Sequence, residues 1–181
     1  MSVMATSRML TRVDLDALPD DGLRHELIDG TFVMSPAPGR SHQRFVFALA
    51  EALNNAVKGT GSEMLLAPFD VILGPNVVEP DVLVARTADF TRDRDLTVPP
   101  LLVVEVRSPS TAWIDEGRKR TLYEEYGVAS YWLADPSVPS LTILELREGR
   151  YVEVAKATGD TTISVDLPVA LKINPAKLAS S

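Results

Sequence analysis

Apolar residues recur along this chain with two different periods, and each change of period marks an element. Between 41 and 57, Phe45, Val46, Leu49, Leu53 and Val57 repeat at three- and four-residue spacing, which predicts an amphipathic helix. Ser41 is placed to cap it, Gly59-Thr60-Gly61 to end it, and His42 falls on its apolar face near the start. Upstream, Asp14 to Leu18 reads as a short helix stopped by Pro19 and the Asp20-Asp21-Gly22 turn. His25 to Met34 carries Asp29-Gly30 between two β-prone runs, a strong hairpin signal. Short apolar runs predict strands near 63–67, 69–73, 77–79, 81–85 and 101–107, with a polar loop over 87–98. Ser108-Pro109-Ser110-Thr111 then offers N-caps for a helix from Ala112 to Tyr126, closed by Gly127. Strands follow at 130–134, 141–147 and 150–155, with one or two short ones between 162 and 173. This order predicts an α+β fold, a mixed sheet with two principal helices. Residues 1–12 read as a loose tail and 13–181 as a single domain.

Composition narrows the function classes. The 181 residues are 45% hydrophobic, enough for a sizeable core and unlike a disordered chain. The absence of cysteine excludes disulfides, thiolate nucleophiles and zinc–thiolate sites, and fits a reducing cytoplasm. Met1 to Arg12 holds no sustained apolar segment, so no secretory signal is expected. No run approaches the ~20 apolar residues that span a bilayer, so no membrane partner is expected either. The net charge of −7 argues against wrapping nucleic acid in a general positive field. A nuclease remains open, because acidic metal ligands lower the apparent charge until cations bind.

The candidate chemistry begins with a glutamate inside an apolar strand, Leu101-Leu102-Val103-Val104-Glu105-Val106. A second carboxylate, in Pro80-Asp81, opens the apolar run Val82-Leu83-Val84-Ala85. A carboxylate is expensive to bury unless it is paired, hydrogen-bonded or metal-bound. Two of them on neighbouring strands point to a divalent-cation site. On the helix after Glu105, stepping back from Leu122 and Tyr126 by threes and fours gives Lys119, Asp115 and Ala112 as one stripe. Lys119 and Asp115 therefore face inward near the end of the Glu105 strand. The same spacing also fits an i,i+4 Asp–Lys pair on a rotated, solvated face.

Asp81, Glu105 and a nearby lysine resemble the site of the PD-(D/E)xK, restriction-endonuclease-like superfamily. A closer resemblance is carried by Glu26-Leu27-Ile28-Asp29-Gly30, Met34-Ser35-Pro36-Ala37-Pro38, His42-Gln43, Pro80-Asp81-Val82, Glu105 to Thr111, Asp115 with Lys119, and Gly127-Val128 through Tyr131-Trp132. In order and spacing these motifs, from about residue 14 to 155, resemble the Uma-two family of "putative restriction endonucleases". The resemblance implies a restriction-endonuclease-like domain: a central mixed β-sheet flanked by helices, with additional N-terminal and C-terminal hairpins. It implies Asp81 and Glu105 as metal ligands, with the Val106 backbone carbonyl as a third, and Mg2+ (or Mn2+) as the ion. Lys119 would stand in for the lysine that the motif sets two residues after the glutamate, where this chain has Arg107. A guanidinium is a poor general base, so Arg107 would instead hold a phosphate. Glu26 would match the N-terminal acidic residue of the superfamily site, Asp115 would fix Lys119, and His42 would contact a phosphate.

Each assignment has a plainer counterpart. Asp81 could simply start a strand, Glu105 could be a structural ion pair, His42 a helix-end residue and Glu26 a solvated hairpin residue. Two functions are therefore carried forward. One is a Mg2+-dependent endonuclease hydrolysing DNA, with a homodimer as one way to cut two strands. The other is a catalytically weak module that binds nucleic acid or protein on the same scaffold.

Overall fold

The computed structural model describes residues 8–108 and 115–180, with the backbone alone at Asp115 and Glu116. Its framework is a sheet whose strands alternate between two different neighbours. Six strands lie in the order β11-β10-β9-β8-β6-β3: β3 (Ser62–Leu66), β6 (Val82–Arg86), β8 (Leu102–Val106), β9 (Ser130–Asp135), β10 (Ser140–Arg147) and β11 (Arg150–Thr158). The β8–β9 pair is parallel and the other pairs are antiparallel, so the sheet is mixed as expected. Val82, Val84, Leu102, Val104, Trp132 and Ala134 face one way; Leu83, Ala85, Val103 and Tyr131 face the other. Both faces are covered, which is why these strands read as nearly continuous apolar runs.

The first face is covered by α1's larger successor, α2 (Arg40–Val57), α1 itself being the short helix Arg12–Asp16. Phe45, Leu49, Leu53 and Val57 of α2 are buried against the sheet. Each such side chain contributes about 1.5–3 kcal/mol on burial. α2 starts one turn-position earlier than the sequence pattern predicts. Gly39 in extended conformation is the N-cap, its carbonyl accepting from the Gln43 N–H at 3.1 Å, and Ser41 lies inside the first turn. The short helix likewise begins before Asp14. The Asp14 carboxylate turns back to accept from the Thr11 N–H and hydroxyl, both at 2.8 Å, and fixes the start there.

A second sheet covers the opposite face. It has the order β2-β1-β5-β4-β7, from β1 (Arg24–Ile28), β2 (Thr31–Ser35), β4 (Asp70–Leu73), β5 (Asn76–Val78) and β7 (Asp95–Leu96). The predicted N-terminal hairpin is present: Asp29 and Gly30 both have positive φ, 50° and 67°, and Ile28 pairs with Thr31. It does not stand apart, because Leu27 of β1 pairs with Val77 of β5. β7 interrupts the predicted polar loop; it pairs in parallel with β4 and buries Leu96, which follows the charged run Arg92 to Asp95.

Of the helix predicted over 112–126, residues 112–114 lie outside the described residues. A π-helical turn, Asp115–Lys119, leads into α3 (Arg120–Glu125). Leu122 and Tyr123 of α3 pack into the core between the two sheets. The C-terminal strands are β12 (Ile163–Val165) and β13 (Leu171–Ile173), followed by α4 (Pro175–Ser180). No described helix is long and apolar enough to cross a membrane.

Candidate active site

The β6–β8 register builds the site. Val82 pairs with Val104, and Asp81 and Glu105 are the residues next to that pair at the strand ends. Both carboxylates are buried, at 4% and 2% exposure. Glu105 shares its sheet face with Val103, the side covered by α3. There its Oε1 accepts from Lys119 Nζ at 3.1 Å and from the Tyr123 hydroxyl at 2.8 Å. Lys119, 3% exposed, also stands 2.8 Å from Glu26 Oε1. That oxygen of Glu26 accepts the Glu79 N–H at 2.7 Å, which locks β1 to the chain just before Asp81. Burial and the field of Glu105 raise the Tyr123 pKa well above the ordinary phenol value, so it stays neutral and donates.

Asp81 is held from three directions. Its Oδ2 accepts the Val106 N–H at 2.8 Å and lies 3.1 Å from His42 Nε2; its Oδ1 accepts from Arg24 Nη2 at 3.0 Å. Burial alone would raise its pKa, but the bond and charge of His42, the charge of Arg24 and the Val106 N–H outweigh it. The carboxyl therefore sits below its ordinary range and is ionised.

Most of the sequence-predicted residues are gathered in two adjoining buried groups. Lys119 joins Glu26 and Glu105, while Asp81 is joined by His42, from the first turn of α2, and by Arg24, whose charge also acts on Glu105 and Glu26. Glu26 is 2% exposed, so the solvated-hairpin alternative for it is overturned; Lys119 lies inward, so the solvated Asp–Lys pair is too. Arg107 follows the end of β8, pairs with Asp135, Nη1 to Oδ2 at 3.2 Å, and lines a cavity together with His42. The Asp115 side chain lies outside the described residues.

Three participants were not anticipated. Arg24 lies two residues before Glu26 on β1, so strand alternation puts both on one face. Tyr123 lies four residues after Lys119, one helical turn on. Glu79 has no such period; it is placed by its N–H bond to Glu26. Burial first, then the charge of Asp70, push its pKa up to about 7, against the pull of Arg24. A raised carboxyl pKa means that the folded chain holds a proton which the unfolded chain releases above 4.5, its ordinary value. The stability from this group is complete below about 4.5 and is lost as pH rises through about 7. Glu79→Gln is therefore expected to gain stability relative to wild type across that window, by up to about 2 kcal/mol at pH 8 after allowance for solvent screening. Urea melts of both proteins at pH 4.5, 6 and 8 read this directly, and a constant difference would contradict it.

Among the described residues, no group of three or more His, Asp or Glu side chains could by itself hold a metal ion. Mg2+ does not require one: it binds through one or two carboxylates and keeps several waters. Asp81, whose carboxyl is held ionised, and Glu105, paired with Lys119, are hard-oxygen donors of the kind that ion takes.

Known proteins agree with the fold. The structure of a putative nuclease belonging to DUF820 from Anabaena variabilis superposes with a TM-score of 0.77 at 18% identity, covering 94% of this chain and 98% of that one. The chain therefore has that nuclease-like α+β fold. The Uma2 family model, described as "putative restriction endonuclease", matches residues 12–176, and the chain belongs to that family. A cryo-EM structure of a DrdV–DNA complex matches at 17% identity over 61% of this chain and 9% of that one, with a TM-score of 0.37, too low to carry an argument. No curated protein matches the chain.

Proposed function

We propose that this protein is a divalent-metal-dependent endonuclease that hydrolyses DNA phosphodiester bonds. The observation that carries this reading is that two buried carboxylates, Asp81 and Glu105, adjoin the Val82–Val104 pair at the ends of neighbouring strands while Lys119 is bonded to Glu105. Membership of a family described as "putative restriction endonuclease" supports it.

Hydrolysis of a phosphodiester needs a positioned nucleophilic water, relief of negative charge at phosphorus and a stabilised leaving oxygen. Asp81 and Glu105, with the Val106 carbonyl, would hold Mg2+ or Mn2+, which supplies a Lewis acid and an acidified water. The chain's own residues supply the rest. The Lys119 ammonium, 3.1 Å from Glu105, is a fixed positive charge at the place where water would be oriented and negative charge would grow. Tyr123 and Glu26 hold Glu105 and Lys119 in position from behind. His42 and the Val106 N–H fix the rotamer of Asp81. The seclusion of these groups strengthens every electrostatic term at the reacting phosphorus.

The test is a cleavage assay on supercoiled, linear duplex and single-stranded DNA with Mg2+ or Mn2+ and with EDTA, wild type beside Glu105→Gln. Metal-dependent cutting that Glu105→Gln abolishes is expected. Binding without turnover in every metal would replace this reading with that of a non-cutting binding module.

A further inference from the structure

Arg24 is the second cation of the cluster, and the hydrolytic roles above leave it without one. Its side chain is 21% exposed and points inward from β1. Nη2 donates to Asp81 Oδ1 at 3.0 Å and Nη1 to the Glu79 carbonyl at 3.2 Å, while Nε stands 4.0 Å from Glu79 Oε2. The cluster is thus divided between two cations: Lys119 lies against Glu26 and Glu105, and Arg24 against Asp81 and Glu79.

A carboxylate offers about four lone-pair directions. On Asp81 three are engaged, by Arg24, His42 and the Val106 N–H. The Val106 bond belongs to the sheet framework, and His42 is carried by the long helix α2. The Arg24 contact differs: it is made by the end of a flexible side chain whose guanidinium also has the Glu79 carbonyl to hold it. A fixed positive charge on the one face of Asp81 that a side chain can vacate opposes any incoming cation. Arginine stays charged at every pH the fold survives, so protonation cannot relieve this opposition.

Resting on the nuclease reading, we propose that Arg24 is the resident counter-cation of the site and competes with a divalent ion for Asp81. Metal binding then requires the Arg24–Asp81 pair to loosen, and the strength of that pair sets the metal affinity. When the ion leaves, Arg24 returns and restores the positive charge on Asp81 Oδ1.

The test is calorimetric titration of the full chain with MnCl2 in the absence of DNA. Arg24→Gln and Arg24→Met keep an unbranched stem and remove the charge. Both are expected to bind Mn2+ about ten- to hundredfold more tightly than wild type, while Arg24→Lys stays within about threefold. In EDTA the two neutral variants should melt below wild type, and saturating Mn2+ should raise them by more than it raises wild type. Folded neutral variants that bind Mn2+ no more tightly than wild type overturn the proposal and leave the metal site standing. Failure of both to fold even with Mn2+ also overturns it, because the ion would then be no substitute for the guanidinium. Asp81→Asn separates the two readings: wild-type Mn2+ binding that this change leaves untouched sinks the metal site itself, and the competition with it.

Discussion

Lys119→Met is expected to cost about 3–5 kcal/mol of folding stability, the range found when one partner of a buried ion pair is removed. The ammonium lies between Glu26 Oε1 at 2.8 Å and Glu105 Oε1 at 3.1 Å, and all three side chains are at most 3% exposed. Methionine fills the volume, so loss of packing contributes little; what remains is two carboxylates facing each other without the ammonium they share. They can respond only by taking up protons or by admitting water, and both weaken the fold near neutral pH. Replacing Glu105 by glutamine in the same chain removes one of the two stranded charges. The double variant should therefore be more stable than the sum of the single losses predicts, with a coupling of about 0.5–3 kcal/mol. Urea denaturation of the four proteins of this cycle measures the coupling. Strict additivity would mean that the ammonium does not serve Glu105.

Glu105→Gln is expected to lower DNA cleavage by at least about 10²–10³-fold, the loss seen when one electrostatic stabiliser of a transition state is removed. Glutamine suits the purpose better than alanine. Its amide oxygen still accepts from the Tyr123 hydroxyl and from Lys119, so the buried hydrogen bonds persist while the charge that would hold the metal is gone. Near-UV circular dichroism should be unchanged, which separates a chemical defect from an unfolded chain. Cleavage at wild-type rate by the folded variant would remove Glu105 from the mechanism.

The parts of this site legible in the sequence are those whose signal is local. Glu105 announced itself because a lone carboxylate interrupts an apolar strand; α2 and the Asp29-Gly30 hairpin followed from period and turn chemistry. The inward lysine is legible along one helix stripe, but the stripe through Leu122 and Tyr126 skips Tyr123. What was hidden is pairing between distant segments. The hairpin's recruitment into a second sheet depends on Leu27 meeting Val77, which no window around either residue encodes. That pairing buries Glu26, and with it brings Arg24 onto the site. Glu79 was invisible for the same reason, since its environment is made by β1 and by Asp70 of β4. Arg107, by contrast, satisfied the strand alternation yet lies past the end of β8, where alternation no longer governs direction and Asp135 of the neighbouring strand captures it.

The most direct measurement is the stoichiometry of Mn2+ on the wild-type chain, titrated by electron paramagnetic resonance and repeated on Asp81→Asn and Glu105→Gln. If the two strand-end carboxylates share one ion, wild type takes up a single Mn2+ and either substitution abolishes it or weakens it severely. Undiminished uptake by both folded variants, or none by wild type at millimolar Mn2+, would contradict the account.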